Sequence, residues 1–123
     1  MSETDRILVV EDDVDLQDLL RFTFEGAGYD VDTANDGAEA LEFLEEEREP
    51  PELILLDLRM PDVDGMEFLR RRDETGAGDV PVVVLTAVDS EDALEEAFEL
   101  GADDYVTKPF RPRALRARVE RLL

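Results

Sequence analysis

Short apolar runs alternate with longer amphipathic stretches along the whole chain. Five runs have the length and the branched, apolar composition of strands, and they cover residues 6–10, 29–34, 53–57, 80–85 and 105–107. The run at 53–57 is almost continuously apolar, which is typical of a strand that is buried on both faces. The strict alternation of strands with helices predicts a parallel sheet that is covered by helices on both sides and joined by right-handed crossovers.

Apolar residues recur at helical spacing after each of these runs. The predicted helices cover residues 14–27, a stretch that begins after Asn35-Asp36-Gly37, residues 65–72, a stretch that Asp89 or Ser90 caps and Gly101 ends, and the end of the chain. The positions that form their apolar stripes are Leu16, Leu19, Leu20 and Phe24; Ala40, Leu41 and Leu44; Met66, Phe68 and Leu69; Ala93, Leu94, Ala97 and Leu100; and Leu115, Val119 and Leu122.

These elements fit an α/β domain with a doubly wound, five-stranded parallel sheet in the strand order 2-1-3-4-5, the flavodoxin-like arrangement. With 123 residues the chain has the size of a single domain, and we expect residues 1–123 to form it. In this order the topological switch point lies between strands 1 and 3, which is where open α/β sheets bind their ligands.

Asp57 interrupts the central apolar run at the point where the strand should end. Glu11 and Asp12 come directly after strand 1, Thr86 closes strand 4 and Lys108 follows strand 5. Because the carboxyl ends of parallel strands share one edge of the sheet, we expect these five residues to converge on one crevice. The alternative is that Asp57 is an incidental acid in an acidic chain, and the polar residues at the other strand ends weaken that interpretation.

Three carboxylates in one crevice repel one another, so at neutral pH they need a cation or raised pKa values. Ligation by oxygen atoms alone suits Mg²⁺, or Mn²⁺ in its place. With the ion bound, Asp57 can attack a phosphoryl group, while the metal and the Lys108 ammonium neutralise the phosphoryl oxygens. The Thr86 hydroxyl can donate to a phosphoryl oxygen, although a β-branched residue that merely ends a strand remains an equal alternative for this position.

Composition narrows the choice of function further. The chain has no Cys and no His, which excludes disulfides, thiolate metal sites and imidazole chemistry. Its 34 acids against 13 bases give a net charge of −21, so we expect no direct nucleic-acid binding by this domain. No apolar run approaches the length of a membrane span and no signal peptide opens the chain, which favours a cytoplasmic location. Twelve of the bases are Arg and one is Lys, a balance that resembles proteins of salt-loving organisms.

Four segments together resemble the receiver domain of response regulators in the CheY-like superfamily, the phosphoacceptor modules of two-component signal transduction. They are Val9-Val10-Glu11-Asp12-Asp13, Leu56-Asp57-Leu58-Arg59-Met60-Pro61-Asp62-Val63-Asp64-Gly65, Leu85-Thr86-Ala87 and Gly101-Ala102-Asp103-Asp104-Tyr105-Val106-Thr107-Lys108-Pro109-Phe110. The resemblance extends over essentially the whole chain, with the motifs in order and at the spacing of the family. Each motif alone is weak, and the combination is specific.

The resemblance implies that Asp57 accepts a phosphoryl group from the phosphohistidine of a sensor histidine kinase or a phosphotransfer protein. It implies that Glu11, Asp12, Asp57 and the backbone carbonyl of Arg59 hold the metal, and it leaves Asp13, one position further on, outside that set. Lys108 matches the phosphate-contacting lysine, and the Lys108-Pro109 bond is expected to be cis, an isomer that X–Pro bonds tolerate.

Thr86 and Tyr105 match the residues that couple phosphorylation to a signalling face formed by the fourth helix, the fifth strand and the last helix. Through that face the domain is expected to signal to an output domain or to a separate partner. Such a domain is not an enzyme in the usual sense, because it assists only its own phosphotransfer and autodephosphorylation.

Two other classes of protein share part of this pattern. Phosphatases of the haloacid dehalogenase type also form an aspartyl phosphate, but they carry a second acid two residues after the nucleophile, where this chain has Arg59. A flavodoxin-like FMN-binding module needs a phosphate cradle of Ser, Thr or Gly after strand 1, where Glu11-Asp12-Asp13 would repel phosphate.

The charges near the end of the chain suggest a pairing surface. Residues 111–123 contain five Arg and one Glu, a net charge of +4 that leaves −25 for the remainder of a chain with a total of −21. The fourth helix has the opposite character, with acids at Asp89, Glu91, Asp92, Glu95, Glu96 and Glu99 and no base. A two-fold pairing across strand 5 would set each basic helix against an acidic one.

By resemblance to the receivers of DNA-binding regulators, Asp104 and Arg118 match one salt-bridging pair of this dimer face. Leu94 and Ala114 stand where another such pair would be. We therefore expect a weak homodimer that phosphorylation strengthens. The alternative is a basic last helix that offsets acids within its own molecule.

Overall fold

The computed structural model describes residues 5–46, 49–59, 64–75, 77–87 and 91–123. Strands and helices alternate through these residues as the sequence predicts. The elements are β1 (Arg6–Val10), α1 (Val14–Glu25), β2 (Asp30–Ala34), α2 (Gly37–Glu46), β3 (Leu53–Asp57), α3 (Gly65–Arg71), a 3-10 helix (Arg72–Thr75), β4 (Val82–Thr86), α4 (Glu91–Glu99), β5 (Asp104–Thr107) and α5 (Pro112–Leu122).

The strands form one parallel sheet in the order β2-β1-β3-β4-β5, which confirms the predicted fold class. Their carboxyl ends are nearly level with one another. Asp57 is paired with Leu85 across β3 and β4, and Thr86 is paired with Thr107 across β4 and β5. The sheet therefore brings the polar residues at the strand ends to one edge.

Helices cover both faces of the sheet, and the side-chain alternation of the strands divides the core between them. One core contains Leu8, Val10, Ile54 and Leu56 with residues of α2, α3 and α4, and the other contains Ile7, Val9, Leu53 and Leu55 with residues of α1 and α5. Every residue of β3 and β4 is buried, as a central parallel strand requires. Helices α4 and α5 lie on opposite faces, as predicted.

Two helices use their apolar stripes differently from the prediction. In α1 the side chain of Leu19 is exposed, whereas the polar side chain of Gln17 is buried beside Leu20 and Phe24. In α4 only Ala97 is fully buried. Leu100 packs against the same core from a partly buried position. The predicted caps Asp89 and Ser90 lie outside the described residues.

The third helix is extended by a 3-10 turn that the sequence pattern did not predict. It begins at Arg72, whose side chain is only 4% exposed. The guanidinium donates to the carbonyl of Val80 at 2.6 Å and to the carbonyl of Gly101 at 3.2 Å. A buried charge is stable only when it is hydrogen-bonded, and these bonds tie the turn to the start of β4 and to the α4–β5 loop.

The loops on either side of β5 have the backbone conformations that were expected from the sequence. The Lys108-Pro109 bond is cis, as expected from the family resemblance. Gly101 ends α4 with a positive φ, as expected for a helix C-terminus. Among the described residues, no helix is long and apolar enough to cross a membrane.

We expect Gly101→Ala to destabilise the fold more than Gly28→Ala. Both glycines have a positive φ, +98° at Gly28 and +108° at Gly101. Either alanine therefore costs about 1–2 kcal/mol in backbone conformation. A Cβ at Gly28 meets nothing within 4 Å, whereas a Cβ at Gly101 would lie 2.5 Å from Nη2 of Arg72 and displace the guanidinium from its carbonyl acceptors. Urea unfolding of the two variants measures the difference.

The same pair of substitutions in an Arg72→Ala background provides the control. With the guanidinium absent, the two alanines should cost similar amounts. Equal losses of unfolding free energy in the otherwise wild-type chain would contradict this account of the Arg72 contact.

Candidate functional site

The carboxyl edge of the sheet gathers the acids that the sequence predicted for the site. Glu11 and Asp12 begin the loop after β1, and Asp57 is the last residue of β3. One carboxylate oxygen from each of the three residues lies within 4.8 Å of the others. Lys108 follows β5 and reaches the same point, and its backbone N–H donates to the carbonyl of Thr86 at 2.9 Å.

Glu11 is the most deeply buried acid of the group, with only 1% of its surface exposed. Its backbone N–H donates to the carbonyl of Ala34 at 3.0 Å, which extends the β1–β2 pairing by one residue. Its Oε1 accepts from the backbone N–H of Asp13 at 3.2 Å, and its Oε2 accepts from Nζ of Lys108 at 2.9 Å. Asp12, by contrast, is exposed.

Asp57 is 4% exposed and also accepts on both carboxylate oxygens. The backbone N–H of Arg59 donates to Oδ1 at 3.1 Å, and Nζ of Lys108 donates to Oδ2 at 3.3 Å. The first bond keeps the backbone of Arg59 close to the carboxylate. The side chain of Arg59 itself is exposed.

Asp13 is the N-cap residue of α1. Its side chain accepts from the backbone N–H groups of Asp15 and Leu16 and so caps the amino end of α1. The cap directs this carboxylate to the first turn of α1, and the cluster of acids contains Glu11, Asp12 and Asp57 without Asp13.

Lys108 lies between two carboxylates and is half-buried. Burial alone would lower the pKa of its ammonium. The hydrogen bond that the ammonium donates to Glu11, the negative charge of Asp57 and the charge of Glu11 act in the other direction and raise the pKa above its usual value. The ammonium therefore stays charged in the crevice.

One ammonium does not fully stabilise the acids around it. Burial raises the pKa of Glu11 to about 7, with a contribution from the nearby charge of Asp57, although the hydrogen bond from Lys108 opposes the shift. A carboxyl group with such a pKa gains from additional positive charge. The electrostatics of the site thus favour the binding of a cation.

The donor set matches a small, hard cation. Three carboxylate oxygens from Glu11, Asp12 and Asp57 lie within 4.8 Å of one another, a separation that a single ion can bridge. Mg²⁺ binds to a few carboxylates and retains several waters, and Asp12 at the exposed side leaves room for them. The residues present therefore fit a divalent metal ion.

Two polar side chains next to the site were not among the predicted site residues. Gln17 donates from Nε2 to the carbonyl of Glu11 and to Oδ1 of Asn35, the latter at 2.8 Å. The available signal was its position, since Gln17 occupies the same side of α1 as the apolar residues Leu20 and Phe24. A polar residue within an apolar stripe indicates a buried hydrogen bond.

The residues predicted for the signalling face lie on β5 and the helices beside it. Tyr105 is partly exposed, and its ring meets that of Phe98 edge to face, with the ring centres 5.9 Å apart. Nη1 of Arg118 donates to both carboxylate oxygens of Asp104, at 2.9 and 3.1 Å, within one molecule. Phe98 was not predicted for this face.

Chemically, the crevice offers a nucleophile, a place for a cation and a fixed ammonium. A carboxylate such as Asp57 can accept a phosphoryl group, and the positive charges can neutralise its oxygens. The two alternative functions are not favoured. The residue two positions after Asp57 is the exposed Arg59, and the loop after β1 presents the carboxylates of Glu11 and Asp12 where a flavin phosphate would bind.

Comparison with known proteins agrees with this description. The family model for the response regulator receiver domain matches residues 7–120. The chain is 45% identical over 118 residues to the alkaline phosphatase synthesis transcriptional regulatory protein PhoP of Bacillus subtilis, covering 96% of this chain and 48% of that protein. It is 44% identical over 118 residues to the response regulator MprA of Mycobacterium leprae, covering 96% and 50%. The chain thus spans about half the length of these relatives.

Among solved structures, the chemotaxis protein CheY4 of Vibrio cholerae superposes with a TM-score of 0.90 and 31% identity, covering 98% of this chain and 100% of that one. The family match, the identity to two response regulators and the superposition all extend over nearly the whole chain. This chain belongs to the response regulator receiver domain family.

Proposed function

We propose that Asp57 is the phosphoacceptor of this receiver domain and that its donor is the phosphohistidine of a sensor histidine kinase or a phosphotransfer protein. The observation that carries the proposal is the position of the Asp57 carboxylate, which lies at the end of β3 among two further acids and the Lys108 ammonium. In the reaction an Asp57 oxygen attacks phosphorus and forms a P–O bond while the P–N bond to the donor ring breaks. The electron pair stays on the ring nitrogen, and the ring takes up one proton from solvent to leave as neutral imidazole. We place this reaction in the cytoplasm.

Glu11, Asp12, Asp57 and the backbone carbonyl of Arg59 would hold Mg²⁺, or Mn²⁺ in its place. When bound, the ion supplies positive charge that offsets the phosphoryl oxygens. The ammonium of Lys108 supplies a second positive charge. Its Nζ lies 3.3 Å from Oδ2 of Asp57, close to where the phosphoryl group would be attached. Together these charges lower the repulsion between an anionic donor and an anionic site.

Thr86 and Tyr105 would carry the response to the surface. Thr86 ends β4 next to the site and would donate its hydroxyl to a phosphoryl oxygen. Tyr105 lies on β5, next to α4 through its contact with Phe98. The face formed by α4, β5 and α5 would then signal to an output domain or to a separate partner. The aspartyl phosphate would be lost by hydrolysis within the same site, so the domain would assist only its own reactions.

We expect Asp57→Asn to abolish labelling by acetyl phosphate in the presence of Mg²⁺. The amide cannot act as the nucleophile, whereas wild-type protein should gain one phosphoryl group on intact-mass analysis. Asp30→Asn is the matched control, because it makes the same chemical change on an exposed residue at the amino end of β2. A chelator should also prevent labelling. Undiminished labelling of Asp57→Asn, or labelling that ignores the chelator, would show the proposal to be wrong.

We expect Mg²⁺ to raise the melting temperature of wild-type protein more than that of Asp12→Asn. A ligand that binds only the folded state at 100 times its Kd stabilises it by about 2.7 kcal/mol. Removing one of three carboxylate ligands should weaken binding and reduce the shift by several degrees. Asp30→Asn serves again as the control, and its shift should equal that of the wild type. Equal shifts for all three proteins would mean that the ion acts only by general screening.

The acidic composition suggests adaptation to high salt, which the same melting experiment examines. Repulsion within a chain of net charge −21 should fall as KCl screens it. Molar KCl should therefore stabilise wild-type protein and Asp12→Asn alike. A melting temperature that does not respond to KCl would contradict this interpretation.

We also propose that phosphorylation promotes a two-fold homodimer through α4, β5 and α5. Its support is charge complementarity, since α4 carries Glu91, Asp92, Glu95, Glu96 and Glu99 while α5 is rich in exposed Arg. Within one molecule Arg118 is already bonded to Asp104. A pair that is closed in the monomer would have to exchange partners across the interface, which keeps the dimer weak.

Sedimentation of the protein with and without a beryllofluoride phosphoryl mimic tests this pairing. We expect a larger fraction of dimer with the mimic at low salt, and less dimer as salt rises. Arg111→Glu, which reverses an exposed charge beside Tyr105 and Arg118, should reduce dimerisation, whereas Arg21→Glu on α1 should not. A protein that stays monomeric at high concentration and low salt under both conditions would rule the dimer out.

A further inference from the structure

Gln17 is a buried polar residue whose hydrogen bonds point toward the proposed metal site. Its side chain is 8% exposed, and its Nε2 donates to the carbonyl of Glu11 and to Oδ1 of Asn35. The first acceptor belongs to the peptide that joins Glu11 to Asp12. A side chain on α1 is therefore bonded to the backbone between two of the three acids.

The backbone and side chain of Glu11 are held by several hydrogen bonds, and the one from Gln17 fixes the carbonyl. Its backbone N–H is fixed by the carbonyl of Ala34, and its carboxylate is fixed by Lys108 and by the backbone of Asp13. Its carbonyl is fixed by Gln17. A buried carbonyl needs such a partner, and here the bond also determines the plane of the Glu11–Asp12 peptide.

The position of the Asp12 carboxylate depends on the plane of the Glu11–Asp12 peptide more than the position of the Glu11 carboxylate does. Glu11 is buried and its carboxylate is bonded directly to Lys108, so its position has support that does not involve Gln17. Asp12 is exposed. The direction of an exposed side chain is set mainly by its own backbone, and the backbone that precedes it is the peptide that Gln17 holds.

Asn35 determines the orientation of the Gln17 amide. Both bonds use the amide nitrogen of Gln17, and the second one ends on Oδ1 of Asn35. Asn35 in turn donates from Nδ2 to Oε2 of Glu39 at 3.2 Å, which leaves its oxygen directed to Gln17. Two acceptors on either side of one NH₂ group require a donor. Neither a carboxylate nor a thioether can replace it.

We infer that Gln17 is a positioning residue for the metal site, holding the Glu11–Asp12 peptide so that the Asp12 carboxylate meets those of Glu11 and Asp57. This inference rests on the proposed function, since it assumes that these acids bind a divalent ion. Residues that orient metal ligands without touching the metal typically contribute 10- to 100-fold to affinity. Because only one of the three ligands depends on Gln17, the lower end of that range, about 10-fold, is the expected effect.

The test measures Mn²⁺ binding to the full chain directly, by the loss of the electron paramagnetic resonance signal of the free ion. Gln17→Met keeps the size of the side chain and removes the donor, and its affinity should fall about 10-fold. Gln17→Glu places a carboxylate against two acceptors and should weaken binding further. Val119→Ala is the stability control, because it removes buried volume from α5 on the same side of the sheet without touching the loop. Its affinity should equal that of the wild type.

Asn35→Ala provides a milder second variant in case Gln17→Met fails to fold. It removes one acceptor but leaves Gln17 free to donate to Glu11, so we expect a smaller loss of affinity than for Gln17→Met. The rate of labelling by acetyl phosphate provides a further readout. At saturating Mn²⁺ both variants should reach the wild-type maximal rate, because the residue positions the metal ligands and takes no part in the transfer itself.

The outcomes separate this inference from the function on which it rests. If wild-type protein and Asp12→Asn bind Mn²⁺ equally weakly, the proposed metal site itself is wrong. If wild-type protein binds Mn²⁺ and folded Gln17→Met and Asn35→Ala bind it with the same affinity, the metal site stands and the role of Gln17 is overturned. A lowered maximal rate at unchanged affinity would overturn it as well.

Discussion

The ion pairs of Lys108 with Glu11 and Asp57 are the interaction on which this arrangement depends. Two nearly buried carboxylates at the edge of a sheet would repel each other, and a lone buried charge is strongly unfavourable. A single ammonium lies within 2.9 Å of one and 3.3 Å of the other. This contact requires β1, β3 and β5 to end at the same edge, so the strand order and the local electrostatics support each other. Lys108 is also the only Lys of the chain, and no other ammonium side chain can take its place.

The two ion pairs of Lys108 leave the site with a net negative charge, and this charge favours the cation that the proposed reaction needs. One ammonium faces three acids, and burial holds the pKa of Glu11 near 7. An incoming phosphoryl group would add more negative charge to the same crevice. A divalent cation would resolve both problems at once and would couple metal binding, the proposed transfer and the stability of the fold through the same few side chains. A site that was fully neutralised by its own residues would have less need of the ion.

The sequence carried enough information for the fold and for most of the site, because both depend on simple periodic rules. A run of apolar residues that stops at Asp57 indicates a central strand and its end. The carboxyl ends of parallel strands lie at the same edge of the sheet, so the polar residues that follow them come together. The hydrogen bonds of Gln17 and Arg72 could not be predicted in this way. Each satisfies carbonyls that are brought near only by tertiary packing, such as those of Val80 and Gly101 for Arg72. The exposure of Leu19 has the same origin. Helical spacing predicts which residues form the apolar face of α1, but it does not predict how that face is rotated relative to the sheet.

The site and the surface are joined by a short stretch of backbone. Thr86 and Thr107 are paired in the sheet, and the N–H of Lys108 continues that ladder by donating to the carbonyl of Thr86. Tyr105 lies three residues before Lys108 and is paired with Val84, so it belongs to the same rigid ladder. A displacement of Lys108 or Thr86 by a phosphoryl group would thus act on a strand with few independent degrees of freedom. Its first two residues make the contacts with the helices: Asp104 forms an ion pair with Arg118, and Tyr105 makes an aromatic contact with Phe98. These contacts each join β5 to one of the flanking helices, so a small shift of the strand must change its packing on both sides of the sheet together.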